Sequence, residues 1–216
     1  MNEGKLKEAL KKLRETSKKR KFNQTVDIIF ILKDLSKTDK VDFFVDLHNP
    51  RGKKIKVCAL VATELADQAK KICDMTVIRD QFVQYAKDKK GMKKLAESYD
   101  YFIAQANIMT DVAKTFGRVL GPRNKMPNPK AGCVVPPSAN LKPLYNKLQN
   151  RIRVMSNKNQ NWLVQCAVAA EDMKDEQIID NIMIAYNALI VNLPNHKDNY
   201  KKGYVKLTMS LAVEVD

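Results

Sequence analysis

The spacing of apolar residues changes near residue 57 and again near residue 150, and these changes divide the chain into three segments. The first segment begins with an amphipathic helix over residues 5–15 and continues with two strands, 25–33 and 41–47, in which every second residue is apolar. The third segment repeats this alternation over 151–156, 162–170 and 204–215, with an apolar helix over 176–193 that Asp172 or Asp175 is expected to cap. Because neither segment can cover a sheet alone, the two are predicted to form one discontinuous two-layer α+β sandwich domain, 1–57 with 151–216.

The middle segment follows a different pattern. Nearly continuous apolar strands are predicted over 55–62, 75–78 and 101–106, and they alternate with helices over 63–72, 81–87, 92–97 and 108–116 and a last helix over 138–150. Continuous strands that alternate with helices indicate a parallel sheet covered on both sides. Residues 58–150 are therefore predicted to form an inserted Rossmann-like three-layer α/β domain, so that the chain combines α+β and α/β architecture.

Nucleotide-binding motifs, which often accompany such a domain, do not occur in the sequence. Residues 62–64, directly after the first strand of the middle segment, read Ala-Thr-Glu rather than a glycine-rich turn, and no GxxxxGK[ST] occurs anywhere. Both histidines, His48 and His196, lie in turn-like segments. The sequence therefore predicts a protein that is not an enzyme and uses no cofactor, with an enzyme acting on nucleotides or RNA as the alternative.

The charge of the chain indicates an anionic partner. Among 216 residues, 39 lysines and arginines against 24 aspartates and glutamates give a formal net charge of +15. Such a surplus attracts nucleic acid first and an acidic membrane second, but no apolar run approaches the ~20 residues that cross a bilayer, and no secretory signal is expected. The four cysteines lack CxxC spacing, so the sequence predicts no zinc or other metal site and a reducing, cytoplasmic location.

Basic residues dominate one part of the sequence. No aspartate or glutamate occurs between Asp111 and Glu171. Ten basic residues fill this acid-free stretch: Lys114, Arg118, Arg123, Lys125, Lys130, Lys142, Lys147, Arg151, Arg153 and Lys158. Because solvated surfaces normally mix both signs of charge, a stretch of one sign indicates contact with phosphates.

A glycine- and proline-rich segment, residues 117–132, lies inside that stretch and contains three prolines and three glycines. Proline fixes φ and lacks an amide donor, so neither a helix nor a central strand is expected to run through the segment. Gly121 and Gly132 are expected at sharp turns where a side chain is not tolerated. A long irregular segment in a compact domain is usually functional or disordered, and the prolines favour a rigid, functional loop.

Two parts of this segment, Leu-Gly-Pro-Arg at 120–123 and Met-Pro-Asn-Pro-Lys-Ala-Gly at 126–132, resemble the signature of the L-one family of ribosomal proteins. The resemblance covers essentially the whole chain, and residues 101–106, 173–177 and 205–209 are similar to archaeal members. It implies the two-domain architecture described above and a structural constituent of the large ribosomal subunit that binds ribosomal RNA at the mobile stalk. It also implies that the protein assists the release of deacylated tRNA from the exit site. It further implies that the protein represses translation of its own mRNA by binding a site in that mRNA that mimics the ribosomal RNA site. The free protein is expected to be a monomer.

The resemblance also indicates which residues of the first domain bind RNA. Six of them belong to two family motifs: Lys21, Phe22 and Thr25 in one, and Thr208, Met209 and Ser210 in the other. The family usually has glycine where Ser210 stands and proline where Leu211 stands, and this departure leaves a ribosome-associated paralogue as an alternative. For Phe22 the alternative is a core position, and for Met209 it is a place on the apolar face of the last strand.

Two further sets complete the predicted RNA contacts. Arg153 and Lys158 join the RNA-binding set, with a merely solvated role as the alternative. The loop of residues 117–132, here called the signature loop, is expected to make a second contact with RNA or with exit-site tRNA through eight residues: Arg118, Gly121, Pro122, Arg123, Lys125, Pro127, Lys130 and Gly132. A basic and rigid loop suits phosphate contacts that position RNA without reading its sequence.

Overall fold

The computed structural model of the chain describes residues 1–36, 39–157 and 160–215. Contacts within the chain group it into two compact units, Met1–Lys53 with Asn150–Asp216, and Lys54–Gln149. The domain boundaries after residue 57 and after residue 150 remain predictions, because such contacts do not show which segment folds independently.

The helices and strands follow one another in this order: α1 (Glu3–Thr16), β1 (Thr25–Leu32), β2 (Asp42–Asp46), β3 (Val57–Val61), α2 (Thr63–Ile72), β4 (Met75–Ile78), α3 (Phe82–Lys87), α4 (Lys89–Ser98), β5 (Tyr101–Gln105), α5 (Met109–Leu120), β6 (Val134–Val135), α6 (Leu141–Asn150), β7 (Arg151–Asn157), β8 (Gln160–Ala170), α7 (Asp175–Asn192), β9 (Tyr200–Leu207) and β10 (Val213–Glu214). In the described ranges no helix is long and apolar enough to cross a membrane.

The first unit is an α+β sandwich, as predicted. Its six-stranded sheet has the order β10-β9-β1-β8-β7-β2, and the paired strands are antiparallel. Along β1, Val26, Ile28 and Phe30 are buried while the residues between them are partly exposed, as the two-residue period of a strand requires. α1 and α7 pack on each other and on this buried face, so that Leu6 and Ile182 share one core with Phe30.

The prediction of a single strand over 204–215 is wrong. β9 ends at Leu207, the chain turns over residues 208–211, and it returns as β10, in which Val213 pairs with Val205 of β9. Ser210 holds the turn, because its Oγ accepts a hydrogen bond from Leu207 N at 2.8 Å and its backbone N donates to Leu207 O at 3.2 Å. Alternation of apolar residues does not reveal such a turn. A serine side chain can accept a backbone hydrogen bond that a neighbouring strand would otherwise accept, so the strand can end while the apolar pattern continues.

The capping prediction for the last helix is also wrong. α7 begins at Asp175 after the N-cap Lys174, which makes no side-chain cap hydrogen bond, so neither Asp172 nor Asp175 caps the helix. The Asp175 carboxylate instead accepts two hydrogen bonds from the Arg14 guanidinium, at 2.7 and 3.0 Å. The Asp175 carboxylate, which the sequence pattern predicted to cap α7, therefore forms a tertiary contact with α1 instead.

The second unit is an α/β unit, as predicted for the middle segment. Its sheet has the order β4-β3-β5-β6, and all its pairs are parallel. Every residue of β3 is buried, which requires cover on both faces of the sheet. α3, α4 and α5 pack against one another, and Phe82, Met92 and Phe116 share a core with Leu60.

The helix that leads into the signature loop continues further than predicted. α5 ends at Leu120 rather than near residue 116, so Gly117 and Arg118 lie inside the helix. The helix ends before Pro122, so no helix runs through residues 117–132, as predicted. Proline lacks its own amide donor and its ring clashes with the preceding turn, so Pro122 limits how far α5 can extend but does not prevent Gly117 and Arg118 from being helical.

A Schellman motif closes this helix. Asn124 has φ 55°, its backbone N donates to Gly121 O at 3.0 Å, and Lys125 N donates to Leu120 O at 3.0 Å. These two bonds satisfy carbonyls that the end of a helix leaves unpaired. The first residues of the signature loop thus form a defined helix terminus.

We expect Gly121→Ala to lower the free energy of unfolding by about 1–2 kcal/mol. Gly121 has helical angles, φ −57° and ψ −57°, and is followed directly by a proline, whose ring would clash with an alanine Cβ in this conformation. The same Cβ would lie 2.7 Å from Gly117 O. Gly117→Ala is the matched control: its Cβ would meet nothing within 4 Å, so the gain in helix propensity should stabilise the protein by up to about 1 kcal/mol. Urea unfolding followed by circular dichroism measures both, and effects of the same sign would contradict the expectation.

Candidate nucleic-acid interface

The fold brings the two motifs of the first unit together. Thr208 and Thr25 are 183 residues apart in sequence, yet Thr25 N donates to Thr208 Oγ1 at 3.0 Å and Thr208 N donates to Thr25 O at 3.1 Å. The β9–β10 turn therefore lies directly beside the start of β1. This surface, residues 21–25 with 208–211, is here called the turn interface.

Gln24 connects the two sides of the turn interface and was not among the predicted site residues. Its side chain is only 1% exposed, and its Oε1 accepts a hydrogen bond from Met209 N at 3.1 Å. Its backbone O also accepts from Glu171 N at 2.8 Å. Gln24 stands two residues before Val26 and so continues the buried series of β1, a signal that periodicity alone could have revealed.

Two large side chains of the turn interface are exposed to solvent. Phe22 is 52% exposed and Met209 is 59% exposed. A core position for Phe22 and an apolar-face position for Met209 were the alternatives left open by the sequence, and both are wrong. An exposed aromatic ring gives a base a surface on which to stack. Lys21, next to Phe22, is also exposed.

The hydroxyl groups of the turn have different amounts of freedom. Thr208 Oγ1 accepts a bond from Thr25 N, but its own proton has only a long contact of 3.5 Å with Thr25 O, so it can donate to a ligand. Ser210 Oγ is engaged within the turn, since it accepts from Leu207 N and lies 3.0 Å from Leu211 O. Ser210 therefore stabilises the turn.

The structure does not bring Arg153 to the turn interface. Arg153 lies on β7, which β8 separates from β1. Its guanidinium donates to both carboxylate oxygens of Asp42, at 2.7 and 2.8 Å, and lies 5.6 Å from the centre of the Phe44 ring. Lys158, the other cation predicted with it, lies outside the described residues.

Two cations of the signature loop turn back onto α4. Arg123 Nη2 donates to Glu97 Oε1 at 3.1 Å. Lys125 Nζ is partly buried and donates to Ala96 O at 2.8 Å and Tyr99 O at 2.7 Å, at the C-terminal end of α4. A cation there satisfies unpaired carbonyls and faces the negative end of the helix dipole. Both side chains therefore hold the loop in place.

The remainder of the loop forms a capped turn. Asn128 Oδ1 accepts a hydrogen bond from Lys130 N at 2.9 Å, and the short 3-10 helix Pro129–Ala131 ends at Gly132, whose φ is 67°. This left-handed conformation favours glycine and confirms the predicted sharp turn. Pro127 is buried beneath it.

Six predicted loop residues are exposed, namely Arg118, Gly121, Pro122, Arg123, Lys130 and Gly132. Arg123 is paired with Glu97, whereas neither Arg118 nor Lys130 forms an ion pair with another described residue. These two cations are the ones that the loop offers to phosphate groups.

The cysteine thiols of the chain are buried and held in unreactive positions. All four cysteines are free and buried, and burial raises the pKa of the Cys166 thiol to about 12 and that of Cys73 to about 11. Both thiols therefore stay protonated at neutral pH. Over the described ranges, no three histidine, cysteine, aspartate or glutamate side chains form a group that could hold a metal ion.

Comparison with known proteins gives one consistent family. Residues 11–211 match the model of the Ribosomal protein L1p/L10e family. Three similar proteins, each named Large ribosomal subunit protein uL1, come from Methanothermobacter thermautotrophicus (38% identical over 96% of this chain and 97% of its own), Nanoarchaeum equitans (40%, 95% and 97%) and Thermococcus kodakarensis (36%, 98% and 97%).

Proposed function

The chain belongs to the Ribosomal protein L1p/L10e family, and from this membership we propose that it binds large-subunit ribosomal RNA at the mobile stalk through the turn interface. A member of this family is a structural constituent of the large ribosomal subunit, works on the cytoplasmic ribosome, and is not an enzyme.

The observation that carries the proposal is the joint exposure of Phe22, Thr208 and Met209 on one hydrogen-bonded frame. Gln24 and Thr25 hold the turn through Met209 N and Thr208 N, so the backbone that carries Thr208 and Met209 is ordered before RNA arrives and needs no further ordering on binding. We expect the Phe22 ring to stack on an unpaired base and the Thr208 hydroxyl to meet a ribose 2′-hydroxyl.

Charge would supply the remaining affinity. Lys18, Lys19, Arg20 and Lys21 lead directly into Phe22, and all four are exposed. Contacts between these cations and phosphates add affinity that falls with salt, whereas the aromatic and hydroxyl contacts distinguish one RNA shape from another.

We propose two further roles on the same basis. Arg118 and Lys130 of the signature loop contact phosphates of a second RNA segment or of the deacylated tRNA, whose release from the exit site the protein assists. An mRNA segment folded like the ribosomal junction would meet the same exposed groups of the turn interface, so the protein represses translation of its own mRNA. The Ser210 substitution, which kept a paralogue as an alternative, is accommodated inside the turn and gives no reason to separate this chain from the ribosomal members.

A binding experiment tests the main proposal. The purified protein is titrated with a stalk-junction RNA and with an unrelated RNA of tRNA size across a monovalent salt series. We expect tight binding to the junction that persists at moderate salt, and weaker, steeply salt-dependent binding to the unrelated RNA. Equal affinity and equal salt dependence for both RNAs would refute specific recognition.

A further inference from the structure

A second concentration of positive charge lies in the inserted unit, away from the signature loop in sequence. Five lysines occur within residues 87–94: Lys87, Lys89, Lys90, Lys93 and Lys94. They stand at the end of α3 and along α4, and all five are exposed. This set is here called the α4 lysine surface.

Nothing among the described residues neutralises these lysines. None of the five forms an ion pair with a described carboxylate. The single acid in the same stretch, Asp88, is the N-cap of α4, and its Oδ1 accepts hydrogen bonds from Lys90 N at 3.1 Å and Gly91 N at 2.9 Å. This carboxylate therefore caps the helix and forms no ion pair with any of the five lysines.

The position of the lysines is unfavourable for the helix itself. Lys89 and Lys90 occupy the first turn of α4, where the helix dipole disfavours cations, and the only negative charge at this end is the N-cap Asp88. Lys89 and Lys93 are four residues apart, as are Lys90 and Lys94, and like charges at this spacing repel each other. A bound polyanion would remove both costs.

α1 shows what a solvated lysine helix looks like in the same protein. It also carries four exposed lysines, Lys5, Lys7, Lys11 and Lys12, but three glutamates, Glu3, Glu8 and Glu15, are interspersed with them. That mixture of signs is ordinary for a surface helix. On α4 the one glutamate, Glu97, is paired with Arg123 at 3.1 Å, so it forms no described ion pair with the lysines.

We propose that the α4 lysine surface is a further RNA contact, which binds the phosphate backbone of a double-stranded RNA segment without reading its sequence. The surface has no aromatic group on which a base could stack. The apolar residues of α4, Met92, Leu95 and Ala96, all face the core, so the helix has no apolar face to insert into a lipid bilayer. Lysine ammonium groups on one helix face suit a row of phosphates.

The test uses the full chain with the four α4 lysines replaced by glutamine, K89Q/K90Q/K93Q/K94Q, which removes charge and keeps helix propensity. The probe is a short RNA duplex of arbitrary sequence, titrated across a monovalent salt series. At ~0.1 M salt we expect the affinity to fall about tenfold, and the slope of log K against log salt to become less steep by about two to four.

A variant with the same charge change is the control. K5Q/K7Q/K11Q/K12Q removes four lysines from α1, and we expect it to lower duplex affinity by less than about threefold. Equal losses in the two variants would overturn the proposal, because net charge alone would then explain binding. Unchanged duplex affinity of the α4 variant, with lost binding to vesicles containing phosphatidylserine, would also overturn it in favour of a membrane.

A second measurement needs no variant and therefore does not depend on its folding. Lysine acetylation of the unaltered protein, read by mass spectrometry with and without the duplex, should show protection at Lys89, Lys90, Lys93 and Lys94 and little change in α1. Equal reactivity of the α4 lysines in both conditions would refute the proposal.

The outcome is separable from that of the proposed ribosomal site. Preference for stalk-junction RNA over the duplex is assigned to the turn interface, so the α4 variant should retain this preference. If the unaltered protein showed no preference for the junction RNA over the duplex, the turn interface would be refuted as the specific site. The salt slope and the acetylation pattern would still show whether the α4 lysine surface binds the duplex.

Discussion

Phe22→Ala is expected to lower the affinity for stalk-junction RNA about tenfold to a hundredfold, because stacking of one base on an aromatic ring contributes about 1–3 kcal/mol. The ring is 52% exposed, so its removal leaves no cavity in the core and should change the free energy of unfolding by less than about 1 kcal/mol. The effect should be confined to the specific RNA, since an aromatic ring contributes no charge to binding of unrelated RNA.

Filter binding with junction RNA and unrelated RNA, together with urea unfolding of the same preparations, measures these quantities. Trp162→Ala is the matched control, because Trp162 is an aromatic residue with a similar exposure of 44%. Trp162 lies on β8, far from the turn interface. Thr25 pairs with Ala170 of the same strand, and Trp162 is eight residues before Ala170, about 25 Å away along the strand. If Phe22→Ala and Trp162→Ala lowered the affinity for junction RNA equally, Phe22 would not be a specific contact to the junction.

Lys125→Met is expected to lower the free energy of unfolding by about 2–3 kcal/mol, because two charge-assisted hydrogen bonds to backbone carbonyls are lost. Lys125 Nζ lies 2.8 Å from Ala96 O and 2.7 Å from Tyr99 O, and methionine fills a similar space without a donor. The end of α4 and the start of the signature loop should loosen together, since this ammonium group connects them.

Urea unfolding measures the stability change, and hydrogen exchange of the amides in α4 and α5 locates it. Lys130→Met removes the same charge from the same loop at an exposed position, so its stability should stay within about 0.5 kcal/mol of the unaltered protein. Similar stabilities of the two variants would mean that the contacts of Lys125 with α4 contribute little to folding.

The contrast between these two lysines shows how far the sequence could predict the site. The acid-free stretch and the signature motif identified a basic segment, and both lysines were assigned to RNA contact. Composition counts charges, but it does not show which of them a carbonyl group will bind. Lys125 reaches the end of α4 only because α5 closes with a Schellman motif that points its side chain there.

The turn interface shows the same limit in the opposite direction. Met209 lies in phase with the buried residues Val205 and Leu207, so alternation placed it on an apolar face, whereas the β9–β10 turn exposes it. Gln24 lies in phase with Val26 and is buried, although it is a polar residue type that is mostly exposed in proteins. The period was misleading for Met209, and the residue type was misleading for Gln24. The hydrogen bond between Met209 N and Gln24 Oε1 joins these distant segments and accompanies both the exposure of Met209 and the burial of Gln24.

The sequence by itself determined the order and type of most helices and strands, the parallel character of the inserted sheet and the strong positive charge. Those features depend on local periodicity and on composition, which the sequence contains directly. Only the tertiary structure decided that Thr25 and Thr208 meet, that Gln24 positions Met209, and that Lys125 belongs to the fold while the α4 lysines stay free. A hydrogen bond between segments 183 residues apart depends on where the whole chain places its ends, and no local pattern contains that information.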